Sequence, residues 1–116
     1  VGVKELVQKA YENAKKHGFW EDINPRLFNC IQQIPKGDQM EVLNALGNRL
    51  MLITGEVAEA HEAIRKRDYE NFKEELADIV IRVADLAGGL DIDLEKEIKN
   101  KMEKNKIRPY KHGKAF

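Results

Sequence analysis

Helical periodicity runs through most of this chain, and its two strongest stretches are joined by only two residues that clearly belong to neither, Arg67 and Asp68. Before the link, Leu46, Leu50, Ile53, Val57, Ala60 and Ile64 recur at alternating steps of four and three, the seam of a packed helix. After it, Phe72, Leu76, Ile79, Val80, Val83 and Leu86 supply the buried face of a second helix. A connection this short makes the two helices antiparallel neighbours. That pairing is the strongest constraint on the fold.

The remaining segments read as further helices. An amphipathic stretch from about Val3 to Lys16 ends at His17-Gly18, a C-terminal cap signal. Asn24-Pro25, Pro35 and Lys36-Gly37-Asp38 punctuate an irregular region, within which Arg26 to Ile34 can form a short helix. Asp38 is the expected N-cap of the first long helix, which should reach about Lys66. Gly47 and Gly55 each weaken it by about 1 kcal/mol relative to alanine, so a break or kink is expected near Thr54-Gly55. Asp68 caps the second long helix, about Tyr69 to Ala87, which Gly88-Gly89 should stop. Asp91 or Asp93 starts a last helix, about Leu94 to Lys106, and Pro109 ends helical structure. Strand signals are almost absent. The expectation is one all-α domain over residues 1–116, a bundle of about four helices.

Composition narrows the class. The chain has 116 residues, 42% hydrophobic and 34% charged, enough for one modest core in a soluble, highly charged protein. No apolar run approaches a membrane span and no secretory signal pattern opens the chain, so no membrane partner is expected. It starts on Val1 rather than Met, as a processed or incomplete N-terminus would. Cys30 is the single cysteine, which excludes an internal disulfide, fits a cytoplasmic location, and reads as core filler rather than nucleophile. Zero net charge offers no broad footprint for a nucleic acid polymer. From Lys96 onward, however, eight lysines and arginines face only Glu97 and Glu103, a basic end opposite an acidic centre.

The acidic centre lies on the two long helices. Glu56-x-x-Glu59 and Glu75-x-x-Asp78 nearly repeat each other. At about 100° per residue, measured from Val57, Glu56 falls at about 260°, inside the apolar arc, and Glu59 at about 200°, on its edge. Measured from Leu76, Glu75 and Asp78 fall at those same angles. Each helix thus turns one acid inward and sets a second at the rim. Acids are rarely buried unpaired, and four converging would repel. A divalent cation resolves both problems, and an all-oxygen donor set favours Mg²⁺ or Mn²⁺. A redox di-iron bundle would need Glu-x-x-His on two helices, and none occurs here. His61 is displaced from the acidic face and reads as a core or surface histidine. The competing reading pairs these acids with Arg65, Arg82 or Lys73 as ordinary ion pairs.

With these motifs the sequence resembles the MazG-like all-α nucleoside triphosphate pyrophosphohydrolases, related to the helical dUTP and dCTP pyrophosphatases. The likeness extends through Leu50-Met51-Leu52-Ile53, Glu74 to Ile79, Lys101-x-x-x-Asn105-x-x-Arg108 and the ending Arg108-Pro109-Tyr110-Lys111-His112-Gly113-Lys114. It covers roughly the last seventy residues well and the first forty loosely. The resemblance implies cleavage of a nucleoside triphosphate between the α and β phosphates, giving monophosphate and pyrophosphate, with a house-cleaning role against aberrant nucleotides. Glu56, Glu59, Glu75 and Asp78 would be the Mg²⁺ ligands and catalytic acids, with Glu59 a candidate proton acceptor. Lys101 and Asn105 match substrate-contacting helix positions, and Arg108, Lys111 and Lys114 would grip phosphates. It also implies a homodimer or homotetramer.

Three questions stay open at this level. The basic end can equally be a solvated helix face and tail. Trp20, in Phe19-Trp20, can stack on a base or close the core or a subunit interface. The whole chain can be a helical module of the same fold that binds nucleotide or protein without turnover.

Overall fold

Three of the four α-helices end in the same way, and those ends set the spacing of the bundle. In the computed structural model, which describes residues 1–115 and His112 through its backbone alone, α1 (Val3–Lys16) closes with the Phe19 N–H donating to the Ala14 carbonyl at 3.0 Å. Gly18 sits at φ 83° in that closure, a conformation open to glycine without strain. The first long helix, α2 (Lys36–Arg65), closes through Asp68 N–H to Ala63 at 2.9 Å, with Arg67 at φ 60°. The second, α3 (Tyr69–Gly89), closes through Ile92 N–H to Ala87 at 2.9 Å, with Asp91 at φ 56°. Non-glycine residues rarely adopt this backbone, and here each one reverses the chain in a single step.

The all-α architecture follows the sequence pattern, and no strand occurs among the described residues. Asp68 caps α3 by accepting from Asn71 N–H at 3.2 Å. Of the two candidates before α4 (Leu94–Lys106), Asp93 is the cap, accepting from Lys96 N–H at 3.1 Å. The irregular region forms a 3₁₀ segment over Pro25–Gln33 instead of an α-helix, and a second 3₁₀ turn covers Tyr110–Gly113.

Four expectations need correction or refinement. Asp38 is not the N-cap of α2; Pro35 is, and Asp38 lies in the first turn, where its charge complements the helix dipole. Helical structure continues without a break across Thr54-Gly55, because α2 is held along its length against α3 and the 3₁₀ segment. The helix α3 does end at Gly88-Gly89, but these are its last two helical residues rather than the cap after Ala87, and the left-handed residue that follows is Asp91. A Cβ on Gly88 would come within 2.5 Å of Tyr11 Cβ, and one on Gly89 within 2.6 Å of Trp20 Cζ2. They are contact glycines, bringing α1 and the Trp20 ring onto α3. Finally, the apolar seams are only partly buried. Ala60, Ala63, Ala84 and Ala87 are enclosed, whereas Leu50, Val57, Leu76 and Val80 are 54%, 49%, 46% and 53% exposed. Close packing through small residues leaves the large ones outside.

The principal apolar cluster lies at one end of the α2–α3 pair. Val42, Leu46 and Leu90 are its buried centre, ringed by Ile23, Leu27, Phe28, Ile31, Ile34, Leu86 and Ile92. The molecule is extended, with a radius of gyration of 16.7 Å, against about 13 Å for a compact domain of this length. No helix among the described residues is long and apolar enough to cross a membrane.

Candidate metal centre and cleft

Beyond the apolar end, the same two helices carry the acids. Glu56 comes from the C-terminal half of α2, and Glu75 and Asp78 from the second and third turns of α3. One carboxylate oxygen from each lies within 4.8 Å of the other two. Glu56 and Glu75 are half-buried and Asp78 is exposed, so the cluster runs from the seam outward. Glu59 stands one turn along α2, exposed, on the far side of Glu75.

The charges in this cluster are unevenly compensated. Arg82 Nε donates to Glu56 Oε1 at 2.8 Å and holds that carboxyl below the ordinary range, although burial opposes it. Glu75 has no such cation. Burial, reinforced by Glu56, Glu59 and Asp78, pushes it up to about 7. Its Oε2 is sealed from solvent with no hydrogen-bond partner. Two ionised carboxyls cannot donate to each other; a proton on Glu75 would supply the missing donor toward Glu56. An orphaned carboxylate oxygen among three all-oxygen donors fits a hard divalent ion.

The cluster separates two cavities. On one side a cleft of about 600 Å³ is walled by Ala10, Asn13 and Ala14 of α1, Phe19 to Asp22 in part, Arg49, Leu52 and Glu56 of α2, and Asp78, Ile81, Arg82 and Asp85 of α3. On the other, Glu59 and Glu75 share a smaller cavity of about 280 Å³ with Glu62, Lys66, Asp68 and Asn71. A larger cavity of about 820 Å³, around Tyr11, Asn24 and Glu41, contains none of the four acids. The 600 Å³ cleft is the one the chemistry points to.

Behind the lining residues Asp85 and Arg49, Trp20 is buried and borders the 820 Å³ cavity rather than the cleft, and its Nε1–H donates to Asp85 Oδ1 at 2.8 Å. The Arg49 guanidinium lies 3.9 Å from the ring centroid and Tyr11 meets the ring edge-on at 5.9 Å. With its ring covered in this way, Trp20 is placed for packing. Phe19, 66% exposed, is the aromatic that borders the cleft with a free face. Burial pushes the Asp85 carboxyl up, opposed by the Trp20 N–H and by Arg49 and Arg82.

The basic end lies elsewhere. Lys101 and Asn105 are exposed on α4, and Arg108, Lys111 and Lys114 on the segment after it; none lines the 600 Å³ cleft or the 280 Å³ cavity. Of the cations weighed as ordinary partners, Arg82 does pair with Glu56, whereas Lys73 pairs with Glu70 at 3.0 Å and Arg65 approaches Glu62 at 3.9 Å. His61 is exposed and Cys30 half-buried, its Sγ 3.5 Å from the Leu27 carbonyl. Sequence reasoning did not single out Arg49 or Asp85. Asp85 lies seven residues after Asp78, on the same helical face, so its periodicity alone could have flagged it. Arg49 carried no such signal, because its partners come from residues 19 and 22.

Neither a curated protein nor a solved structure matches this chain. The sequence model of the MazG nucleotide pyrophosphohydrolase domain does, over residues 46–112, which takes in all four acids, Arg82, Asp85 and α4. With more than half of its length matched, the chain belongs to the MazG nucleotide pyrophosphohydrolase domain family.

Proposed function

We propose that this chain hydrolyses nucleoside triphosphates to the monophosphate and pyrophosphate, with Mg²⁺, or Mn²⁺ in its place, held by Glu56, Glu75 and Asp78. One observation carries the reading. Three carboxylates meet within 4.8 Å; Glu56 and Asp78 stand on the wall of a nucleotide-sized cleft, and the third, Glu75, has a buried oxygen without a partner. A divalent ion held there would neutralise triphosphate charge and lower the pKa of a bound water. Glu59, exposed one turn along α2 from Glu56 and on the other side of the cluster from the cleft, would take the proton from a water at the cluster as the water oxygen bonds to the α-phosphorus. The bond from the α-phosphorus to the bridging oxygen breaks, and pyrophosphate leaves with the electron pair. Phe19 offers a stacking face for the base, and Trp20 holds the wall behind it.

The basic residues enter this reading through a second copy of the chain. Lys101, Asn105, Arg108, Lys111 and Lys114 line neither of the two cavities that the acids of their own chain border. Leu50, Val57 and Ile64 fall at heptad spacing on one face of α2, while Leu76, Val80 and Val83 form a stripe on α3. So large an apolar surface is typical of an interface. We assign it to a homodimer or homotetramer in which the basic end of one chain reaches the acids of another.

A specific observation favours the alternative, a nucleotide- or protein-binding module without turnover: Glu56 has a protein partner of its own in Arg82. One assay separates the two. The protein is incubated with Mg²⁺ and a panel of ordinary and damaged (deoxy)nucleoside triphosphates, and pyrophosphate, orthophosphate and monophosphate are measured. Orthophosphate as the first product contradicts the cleavage site. No turnover, with nucleotide-dependent thermal stabilisation, favours the module.

A further inference from the structure

Two arginines border the cleft, and their bonding differs sharply. Arg49 is fully committed. Its Nη1 donates to Asp22 Oδ2 and the Ala45 carbonyl, and its Nη2 to Asp22 Oδ1 and the Phe19 carbonyl, all between 2.7 and 3.1 Å. Its side chain is only 12% exposed and lies flat on Trp20. It cannot turn toward a ligand without dismantling that wall. Among the described residues, Arg82 makes a single side-chain hydrogen bond, from Nε to Glu56 Oε1 at 2.8 Å. Its side chain is 40% exposed while its partner Glu56 is 14% exposed. A more exposed cation thus holds a more enclosed acid, and both line the cleft.

Arg82 stands four residues after Asp78 and seven after Glu75, so all three share one side of α3. Its bond is made to one of the three carboxylates that cluster within 4.8 Å. A guanidinium and a divalent ion cannot both hold Glu56 at full strength, because each draws on the same carboxylate charge. A planar fork also binds phosphate oxygens in the geometry it uses for carboxylates.

Building on the pyrophosphohydrolase reading, we propose that Arg82 is an exchangeable counter-ion. It neutralises Glu56 while the metal site is empty of charge, yields that carboxylate to the divalent ion, and then turns its guanidinium to the triphosphate in the cleft. The exchange needs only a rotation of one partly exposed side chain. It couples the two binding events: the ion's arrival releases a phosphate-binding cation, and bound triphosphate keeps that cation from returning to Glu56. By linkage, each ligand then tightens the other.

The test uses the full chain and two variants, Arg82→Gln and Arg82→Lys, with Mn²⁺ binding to nucleotide-free protein read by electron paramagnetic resonance. Removing the competing cation should tighten Mn²⁺ binding about fivefold in Arg82→Gln, less than the tenfold that corresponds to about 1.4 kcal/mol. Steady-state kinetics at saturating Mg²⁺ should show a KM for the nucleotide raised about tenfold in Arg82→Gln, with kcat changed less. Arg82→Lys, which keeps the charge, should fall between wild type and Arg82→Gln in both measurements. Unchanged or weaker Mn²⁺ binding in both variants would mean that Arg82 only props Glu56 in place, and would overturn the proposal. So would a nucleotide KM that does not move. A wild-type protein that binds Mn²⁺ but releases no pyrophosphate would sink the hydrolase reading instead, and the Mn²⁺ arm would still decide whether Arg82 competes for Glu56.

Discussion

The two ends of the α2–α3 pair follow opposite rules. At one end Val42, Leu46 and Leu90 are enclosed by apolar side chains, and nearby Trp20 is fixed by Asp85, Arg49 and Gly89. At the other, Glu56, Glu75 and Asp78 crowd together with one compensating arginine and an orphaned oxygen. The first end is saturated; the second is left wanting positive charge. The same two helices serve both, so the packed end can hold the acids at a spacing they would not choose alone. Local consistency is expected where stability is made, and its violation where a ligand is to bind.

Mutations at the two ends should therefore separate stability from activity. Trp20→Ala should have the largest effect on folding, about 3–5 kcal/mol lost, because it opens a cavity and leaves Asp85 without its donor. Urea denaturation measures this, and a loss below about 1 kcal/mol would show that the wall is not a stability element. Glu75→Gln should do the reverse. It should lower kcat/KM by about a hundredfold or more, equivalent to about 2.7 kcal/mol, and leave the metal-free protein equally or more stable, since one buried like charge is gone. A Gln variant with wild-type activity would remove Glu75 from the site.

Acidity sharpens the same contrast. The Glu75 carboxyl is pushed up to about 7 in the fold from a reference value of 4.5. Between those values the folded chain keeps a proton that the unfolded chain has released. Stability from this group is thus lost as pH rises from 4.5 toward 7, and the loss is complete above that window. Glu56 has the opposite sign: held low by Arg82, it contributes stability above its unfolded value that is lost on acidification. Melting temperatures in EDTA across this range should fall more steeply with pH for wild type than for Glu75→Gln. Parallel curves would contradict the buried-charge account. Removing Mg²⁺ at pH above 7 should cost wild type more thermal stability than it costs the Gln variant.

The smallest expected effect tests α2 itself. Gly47 lies within the helix, and a Cβ there would meet nothing within 4 Å. Gly47→Ala should add about 0.4–1 kcal/mol by restricting the unfolded chain. A loss would show that this face is covered in the assembled protein.

What was legible in the sequence divides along the same line. Helical segments, the Asp68 cap and the two acid pairs follow from local spacing, and the structure has the helices and cap where spacing put them. Local spacing reports which face an acid lies on, which is why Glu56, Glu59, Glu75 and Asp78 could be grouped, although only Glu56, Glu75 and Asp78 converge within 4.8 Å. Contacts between distant segments were not legible. Gly88-Gly89 marks the end of α3, but the sequence does not show that Tyr11 and Trp20 press on those positions. The large apolar residues of both seams read as core, but alanines and glycines let the helices close first and left Leu50, Val57, Leu76 and Val80 outside. Arg49 drew no notice because its partner Asp22 is 27 residues away. The Arg82 bond to Glu56 crosses between helices, and side-chain reach rather than spacing decides it.

The most direct test of the central claim is product analysis by phosphorus NMR, with wild type and Glu75→Gln given the same nucleoside triphosphates and Mg²⁺. Monophosphate and pyrophosphate appearing together in wild type, and neither in the variant, is the predicted result. Diphosphate and orthophosphate, or equal turnover by both proteins, would contradict it.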